Sequence, residues 1–312
     1  MEVDLRGSKY MYKLDKPSIL IEDFYIKLIG KKNNNEKNDF LKSRLLEIKD
    51  ILILEENKYI KLGESCNLHR FKKETKKENY GLPEAVTKKE MENLYSQDFV
   101  SKPGAKDDGR KIYDYLRSLA MDELCPYCSV SFAKTLDHYF PKSKFPKLAI
   151  TPANLVPCCR DCNTTKDTIF SNVESELFIH PYFEDISSFR WLKCTVEREI
   201  WPISFTYEVV NNNDSNNILF QRIYNQFRVL GLNNVLSNKA NRTFRYRLSS
   251  IIKNYETGGI DSAKEFIKES ELSCRSFELN SWEACMYSAL LRSDWFLTSA
   301  IQDLKERYDV KT

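Results

Sequence analysis

The stretch CPYCSVSFAKTLDHYFPKSKFPKLAITPANLVPCCRDCNTTK, Cys125–Lys166, decides the fold. Two C-x-x-C pairs, Cys125/Cys128 and Cys159/Cys162, frame it. Each short spacing lets both sulfurs of a pair reach one ion from a tight turn, and four thiolates are the ligand set of tetrahedral structural zinc. Cys158 introduces a register ambiguity, but only Cys159 makes C-x-x-C with Cys162. The gap between Cys128 and Cys159 exceeds the ~15–20 residues of a plain zinc ribbon, so something substantial is inserted between the knuckles. Unpaired buried cysteines are the plainer alternative.

The insert holds Asp137-His138, then Pro141, then Asn154, and Asn163 follows the last cysteine. Phosphodiester hydrolysis needs a base to activate water and a cation to stabilise charge on the phosphorane and leaving oxygen. Histidine titrates near neutral pH and suits the base. A carboxylate and an amide oxygen are hard ligands that suit Mg²⁺ or Mn²⁺. Asp137 and Asn163 can therefore hold a catalytic metal while His138 stays free to take a proton, and Asn154 can hydrogen-bond across the hairpin to orient His138.

The runs LDHYFPKS (Leu136–Ser143) and NLVPCCRDCNTTK (Asn154–Lys166) resemble an HNH endonuclease of the ββα-metal type. The resemblance implies an α+β module in which a β-hairpin and a helix clasp one divalent ion, braced by a four-cysteine zinc site. It implies that Asp137 is a metal ligand, His138 the general base and Asn154 the middle residue of the motif. Asn163 stands in the place of the final histidine as second metal ligand, which favours an oxygen set and hence Mg²⁺ or Mn²⁺. The substrate it implies is DNA. Zinc on Cys125, Cys128, Cys159 and Cys162 is then scaffold, needed because so short a module has little apolar core. A non-catalytic, zinc-stabilised nucleic-acid-binding module and an RNase are the alternatives.

Charge supports a polyanionic partner. Lys134, Lys142, Lys144, Lys147, Arg160 and Lys166 outnumber Asp137 and Asp161 in this stretch, and such an excess steers and holds phosphates. Lys142, Lys144 and Lys166 are the candidate contacts. Lys166 lies three residues after Asn163 and shares its face on a helix, an ordinary solvated lysine being the alternative.

Around this module three regions are expected: 1–105, a mixed accessory region; 106–186, the nuclease domain; and 187–312, β-rich and then mainly helical. SKPGAKDDGR (Ser101–Arg110) is a plausible boundary, and Ile112, Tyr115, Leu116 and Leu119 mark an amphipathic helix entering the first knuckle. RFKKETKKEN (Arg70–Asn79) reads as a solvated face or flexible loop, with phosphate contact as the alternative. ISFTYEVV (Ile203–Val210) reads as strand, and NNNDSNN (Asn211–Asn217) breaks the pattern. Ser215–Tyr255 holds no Asp or Glu but seven Lys and Arg, interleaved with Phe220, Tyr224, Phe227, Phe244 and Tyr246. That composition suits either a helical nucleic-acid surface, with Arg242 and Arg245 as contacts, or a helical core.

Composition sets outer limits. With 312 residues, 42% hydrophobic and 30% charged, the chain is globular and long enough for more than one module. No run approaches a membrane span, and the opening MEVDLRGSKY carries no apolar h-region, so the expected address is the cytoplasm, where thiols stay reduced. The net charge of +3 says little by itself. No P-loop is present. A standalone nuclease chain with large flanks resembles the nuclease subunits of bacterial anti-phage systems such as the Septu type, which work beside a separate ABC-type ATPase.

Overall fold

Ile21, Phe24, Tyr25, Leu28 and Ile29 recur at helical spacing, and they form the buried face of α1 (Ile21–Gly30). Its first turn is closed by acids. Asp23 Oδ2 accepts from the Leu20 amide at 2.7 Å, and Glu56 Oε2 accepts from the Ile21 amide at 2.9 Å. Glu56 reaches across from α3 (Lys49–Glu64), which follows the short α2 (Leu41–Glu47). Next come α4 (Lys88–Asn93), continued as a wider turn over Leu94–Phe99, and α5 (Asp108–Ser118). Asp107 caps α5 by accepting from the Arg110 amide at 2.7 Å. Gly109 lets the start of α5 press against neighbouring backbone: a Cβ there would stand 2.0 Å from the Asp98 carbonyl oxygen.

The computed structural model describes residues 13–36, 39–100, 107–198, 203–211 and 217–308. Most of the expected boundary over Ser101–Arg110 and of the asparagine run over Asn211–Asn217 therefore lies outside the described residues. The chain divides into two compact units, one within Met11–Asp185 and the other within Ile186–Thr312.

In the first unit, β1 (Thr135–His138) and β2 (Leu155–Cys158) pair antiparallel, with Asp137 opposite Val156 and His138 opposite Leu155. α6 (Arg160–Lys166) follows at once, completing the expected ββα order. Pro157 is tolerated in β2 because the sheet has only two strands and both are edges. The hairpin does not stand alone. Leu136, Ala149, Ile150 and Leu155 belong to the same hydrophobic cluster as the buried residues of α1, α3, α4 and α5.

The second unit has its own hairpin, β3 (Leu192–Glu197) with β4 (Ser204–Val209). Helices α7 (Ile218–Val229), α8 (Leu232–Phe277), α9 (Trp282–Leu291) and α10 (Ile301–Tyr308) follow it. α8 packs on β4 and α9 on β3. α8 is interrupted at Gly258 and Gly259, where Gly259 takes φ +68°. The molecule is thus of the expected α+β class, mainly helical with two small antiparallel sheets. No helix among the described residues is long and apolar enough to cross a membrane.

Glu56 is almost fully buried, and burial pushes its carboxyl up to about 7, against the pull of the Ile21 amide and with Asp23 and Glu22 adding to the rise. Such a group favours the fold while protonated. Stability is therefore lost as pH rises from about 4.5 through about 7, by up to about 3 kcal/mol. In Glu56→Gln this component is absent. Urea unfolding near pH 5 and near pH 8 should give midpoints closer together than in the parent chain, and an unchanged gap would mean that Glu56 ionises without penalty.

Candidate functional site

The two knuckles are tight reversals. After Cys128 the chain turns through Ser129 at φ +56°, the Ser129 amide donating to the Cys125 carbonyl at 2.8 Å and the Cys125 amide to the Ser131 carbonyl at 2.9 Å. On the other side, Cys159 sits at the N-cap of α6 and its Sγ accepts from the Cys162 amide at 3.4 Å. The sulfurs of Cys125, Cys128, Cys159 and Cys162 all lie within 4.8 Å of one another, and all four residues are buried. Thiolates arranged tetrahedrally at ~2.3 Å from zinc stand about 4 Å apart, so this donor set fits the ion. Burial pushes the Cys125 thiol up, with Cys128 and Cys159 pushing the same way, and four sulfurs crowded this closely need a cation to ionise together. Cys158 is not part of the cluster; its Sγ lies 3.5 Å from Thr135 Oγ1.

Between the knuckles, Asp137 and His138 end β1. Asp137 is 2% exposed. Its Oδ2 accepts from Tyr127 Oη at 3.0 Å and lies 2.8 Å from Lys166 Nζ. A buried carboxylate needs a counter-charge, and Lys166, equally buried, supplies it while also donating to the His138 carbonyl at 2.8 Å. The imidazole of His138 is fixed at one end only. Nε2 lies 2.8 Å from the Ala149 carbonyl oxygen. A carbonyl can only accept, so Nε2 carries the proton and Nδ1 keeps its lone pair. Tyr95 packs edge-on against the ring with centroids 4.3 Å apart. Burial, with Lys142 nearby, pushes the imidazole down to about 3, so it is neutral at physiological pH.

Asn154 is completely buried and clamps the hairpin loop. Its Oδ1 accepts from the Phe140 amide at 2.8 Å, and Nδ2 donates to the carbonyls of Phe140 at 3.0 Å and Leu148 at 3.2 Å. Its own carbonyl takes the Tyr139 amide at 2.9 Å. It thus ties the segment just after His138 to the end of the loop before Ala149, with no hydrogen bond to the imidazole. Asn163, from α6, donates Nδ2 to Thr135 Oγ1 at 3.0 Å and to the Leu136 carbonyl at 3.2 Å. Asp137 and Asn163 share a pattern: each commits one polar atom to the scaffold, while the remaining Oδ1 makes no hydrogen bond within the described residues. Two uncommitted hard oxygens on adjoining elements fit a small divalent cation.

The lysines separate into inward and outward groups. Lys166 faces the carboxylate instead of solvent. Lys147 is also buried, between Glu55 at 3.4 Å and Glu74 at 2.8 Å. Lys142 lies over the Tyr95 ring, and Lys144 donates to the Thr168 carbonyl at 2.6 Å. In the second unit Arg242 and Arg245 are exposed beside a cleft of about 470 Å³, with Arg242 donating to Tyr246 Oη at 3.0 Å. Sequence reasoning missed Tyr127, Tyr95 and the Ala149 carbonyl. Tyr127 had a usable signal, lying inside the first knuckle; Tyr95 had none, forty-odd residues upstream of the hairpin.

Residues 125–168 match the HNH endonuclease family. This HNH domain, with its four-cysteine cluster, supports a metal-dependent nuclease and hence a nucleic-acid substrate. Over 227 residues the chain is 28% identical to "Protein ea31" of Escherichia phage lambda, an alignment covering 68% of this chain and 74% of that protein. No solved structure matches significantly.

Two outcomes test the scaffold. Purified chain should carry about one zinc per molecule by elemental analysis, and Cys159→Ala should lose it together with cooperative melting of the HNH domain; metal-free protein that melts normally would remove the staple. Asn154→Ala should lower the unfolding free energy by roughly 2–3 kcal/mol, because it strands buried backbone groups; a loss under about 0.5 kcal/mol would mean that the loop does not depend on the clamp.

Proposed function

We propose that the chain is an endonuclease that hydrolyses phosphodiester bonds of DNA, with His138 as general base. The observation that carries this reading is the fixed imidazole. Ala149 holds the tautomer in which Nδ1 is the free acceptor, burial keeps the ring neutral, and the adjacent residue is the site's carboxylate. His138 Nδ1 takes a proton from water, the water oxygen attacks phosphorus, and the 3′ oxygen departs. Asp137 and Asn163 would hold Mg²⁺ or Mn²⁺, which supplies Lewis-acid stabilisation of the phosphorane and the leaving oxygen. Lys166 and Tyr127 position the Asp137 carboxylate from the side opposite its uncommitted oxygen. Asn154 sets the loop that carries Ala149, so it acts on His138 through that carbonyl.

The chain plan, an HNH domain with large flanks and no P-loop, also fits a cytoplasmic subunit of a bacterial anti-phage system working beside an ABC-type ATPase, as in the Septu type. The similarity to a phage-encoded protein sets a second setting beside it, a nuclease that serves the phage. A native pull-down separates them, recovery of an ATPase supporting the first.

His138→Ala should lower Mg²⁺- or Mn²⁺-dependent cleavage of DNA by on the order of 10²–10⁴-fold, with zinc content and melting retained. Cleavage at the parent rate would overturn the assignment of the base. Presenting RNA of the same sequence to the same preparation tests the polymer; preferential RNA cleavage would replace DNA with RNA in the proposal.

A further inference from the structure

Arg70, Lys72 and Lys73 come from a segment whose composition suggests a mobile, solvated loop. The structure pins it. Between them Phe71 is 2% exposed, with its ring 5.7 Å from Tyr59, 5.6 Å from Phe140 and 5.9 Å from Phe145. Phe140 and Phe145 belong to the HNH hairpin loop, so the backbone that carries the three exposed cations is anchored against the HNH domain itself. They line a cleft of about 460 Å³ together with Lys144, Phe170 and Asn172. Cations from segments about seventy residues apart in sequence thus converge on one concave surface.

No acid lines this cleft. Glu74, the carboxylate next in sequence, is turned onto the buried Lys147 at 2.8 Å. Arg70, Lys72 and Lys73 form no ion pair with any described residue. Crowding is felt at Lys144, whose ammonium is pushed down by burial first and by Lys73 next, Asp167 opposing and Lys166 adding to the fall. Unpaired cations held together in a concavity call for an anion, and several of them in a row match the spaced charges of a phosphodiester backbone rather than a single small ion. The cleft also leads to the site. Lys144 donates to the Thr168 carbonyl at 2.6 Å, two residues beyond Lys166, which lies on Asp137. Phe170, half-buried, packs on Phe140 at 5.0 Å and forms the wall between.

We propose that this cleft, Arg70, Lys72 and Lys73 facing Lys144, holds the polynucleotide backbone a short distance along the strand from the phosphate that is cut. The proposal rests on the nuclease reading and adds to it a binding track contributed by residues outside the HNH motif. Contacts to phosphate position a strand without reading its bases, so the track accepts many sequences and sets the register in which a strand passes His138.

The test uses the full chain with His138→Ala, which separates binding from cleavage, and fluorescent duplex DNA, single-stranded DNA and RNA of one length as probes. Arg70→Gln/Lys72→Gln/Lys73→Gln is compared with Lys27→Gln/Lys264→Gln/Lys268→Gln, which removes equal charge from exposed positions elsewhere. Each lost phosphate contact reduces the slope of log affinity against log salt by ~0.9 for duplex and ~0.7 for a single strand. The cleft variant should therefore lose about two to three in slope on its preferred polymer and bind at least about 10-fold more weakly at moderate salt, while the control stays near the parent. The probe that loses most identifies the polymer seated there. An unchanged slope, or an equal loss in the control, overturns the proposal. Cleavage by the same triple variant with His138 intact keeps the two ideas apart. Weaker substrate binding with normal cleavage at saturation supports the track, whereas no cleavage by the parent chain under any condition counts against the nuclease reading and leaves the binding result standing.

Discussion

A two-stranded hairpin with four residues in each strand is not stable in water, yet it must hold a carboxylate and an imidazole in fixed positions. This constraint governs the first unit. Three kinds of closure meet it. Apolar residues of the hairpin and its loop join the core of α1, α3, α4 and α5. The four clustered cysteine sulfurs bring the turn before β1 against the turn before α6, where a structural zinc would join them. Asn154 replaces missing ladder bonds in the long loop with its own side chain. Each acts on a different boundary of the hairpin, so together they leave little freedom to Asp137 and His138, which lie where the three closures meet.

Rigid burial creates an electrostatic difficulty that the same residues resolve. A carboxylate taken out of water loses several kcal/mol of hydration unless it is paired. Lys166 meets this need from α6, and by also donating to the His138 carbonyl it ties the helix to the end of β1. Lys147 does the same beneath the loop, between Glu55 of α3 and Glu74. Cations that look like substrate contacts in a composition count are thereby divided. Two of them, Lys166 and Lys147, neutralise acids and fix loops, whereas Lys142, Lys144 and the bases of the Arg70–Lys73 segment stand outside these buried pairs.

The module was legible because its chemistry is local in sequence. C-x-x-C fixes a turn and a pair of sulfurs within four residues, and Asp137-His138 and Asn163 carry their chemistry in their identity. The α+β class followed from the same segment, and the helical spacing of Ile112, Leu116 and Leu119 announced α5. What stayed hidden depends on distance along the chain. The packing of Tyr95 on His138 and of Phe71 on Phe140 joins segments separated by tens of residues, and no period or spacing encodes such pairs. Direction was hidden too. Spacing puts Lys166 on one helical face with Asn163 and leaves it a phosphate contact or a solvated lysine; tertiary packing instead turns that face onto β1 and buries Lys166 against Asp137.

The acid-free stretch Ser215–Tyr255 shows the same ambiguity resolved in both directions. Phe220, Phe227 and Phe244 are buried, whereas Tyr224 and Tyr246 are exposed, so the interleaved aromatics serve two surfaces of one helical pair. Its polar work is done by amides. Asn233 Oδ1 accepts from the Tyr207 amide at 2.8 Å, and Asn241 Oδ1 from the Phe205 amide at 3.2 Å, so α8 satisfies donors on the open edge of β4. A carboxylate could accept the same bonds, but it would bring a charge into the half-buried seam between helix and strand with no cation assigned to it. In α8, Asn233 and Asn241 face β4 while Arg242, Arg245 and Arg247 are exposed, so an acid-free composition that suits either a nucleic-acid surface or a helical core arises from two different requirements on opposite sides of the helix.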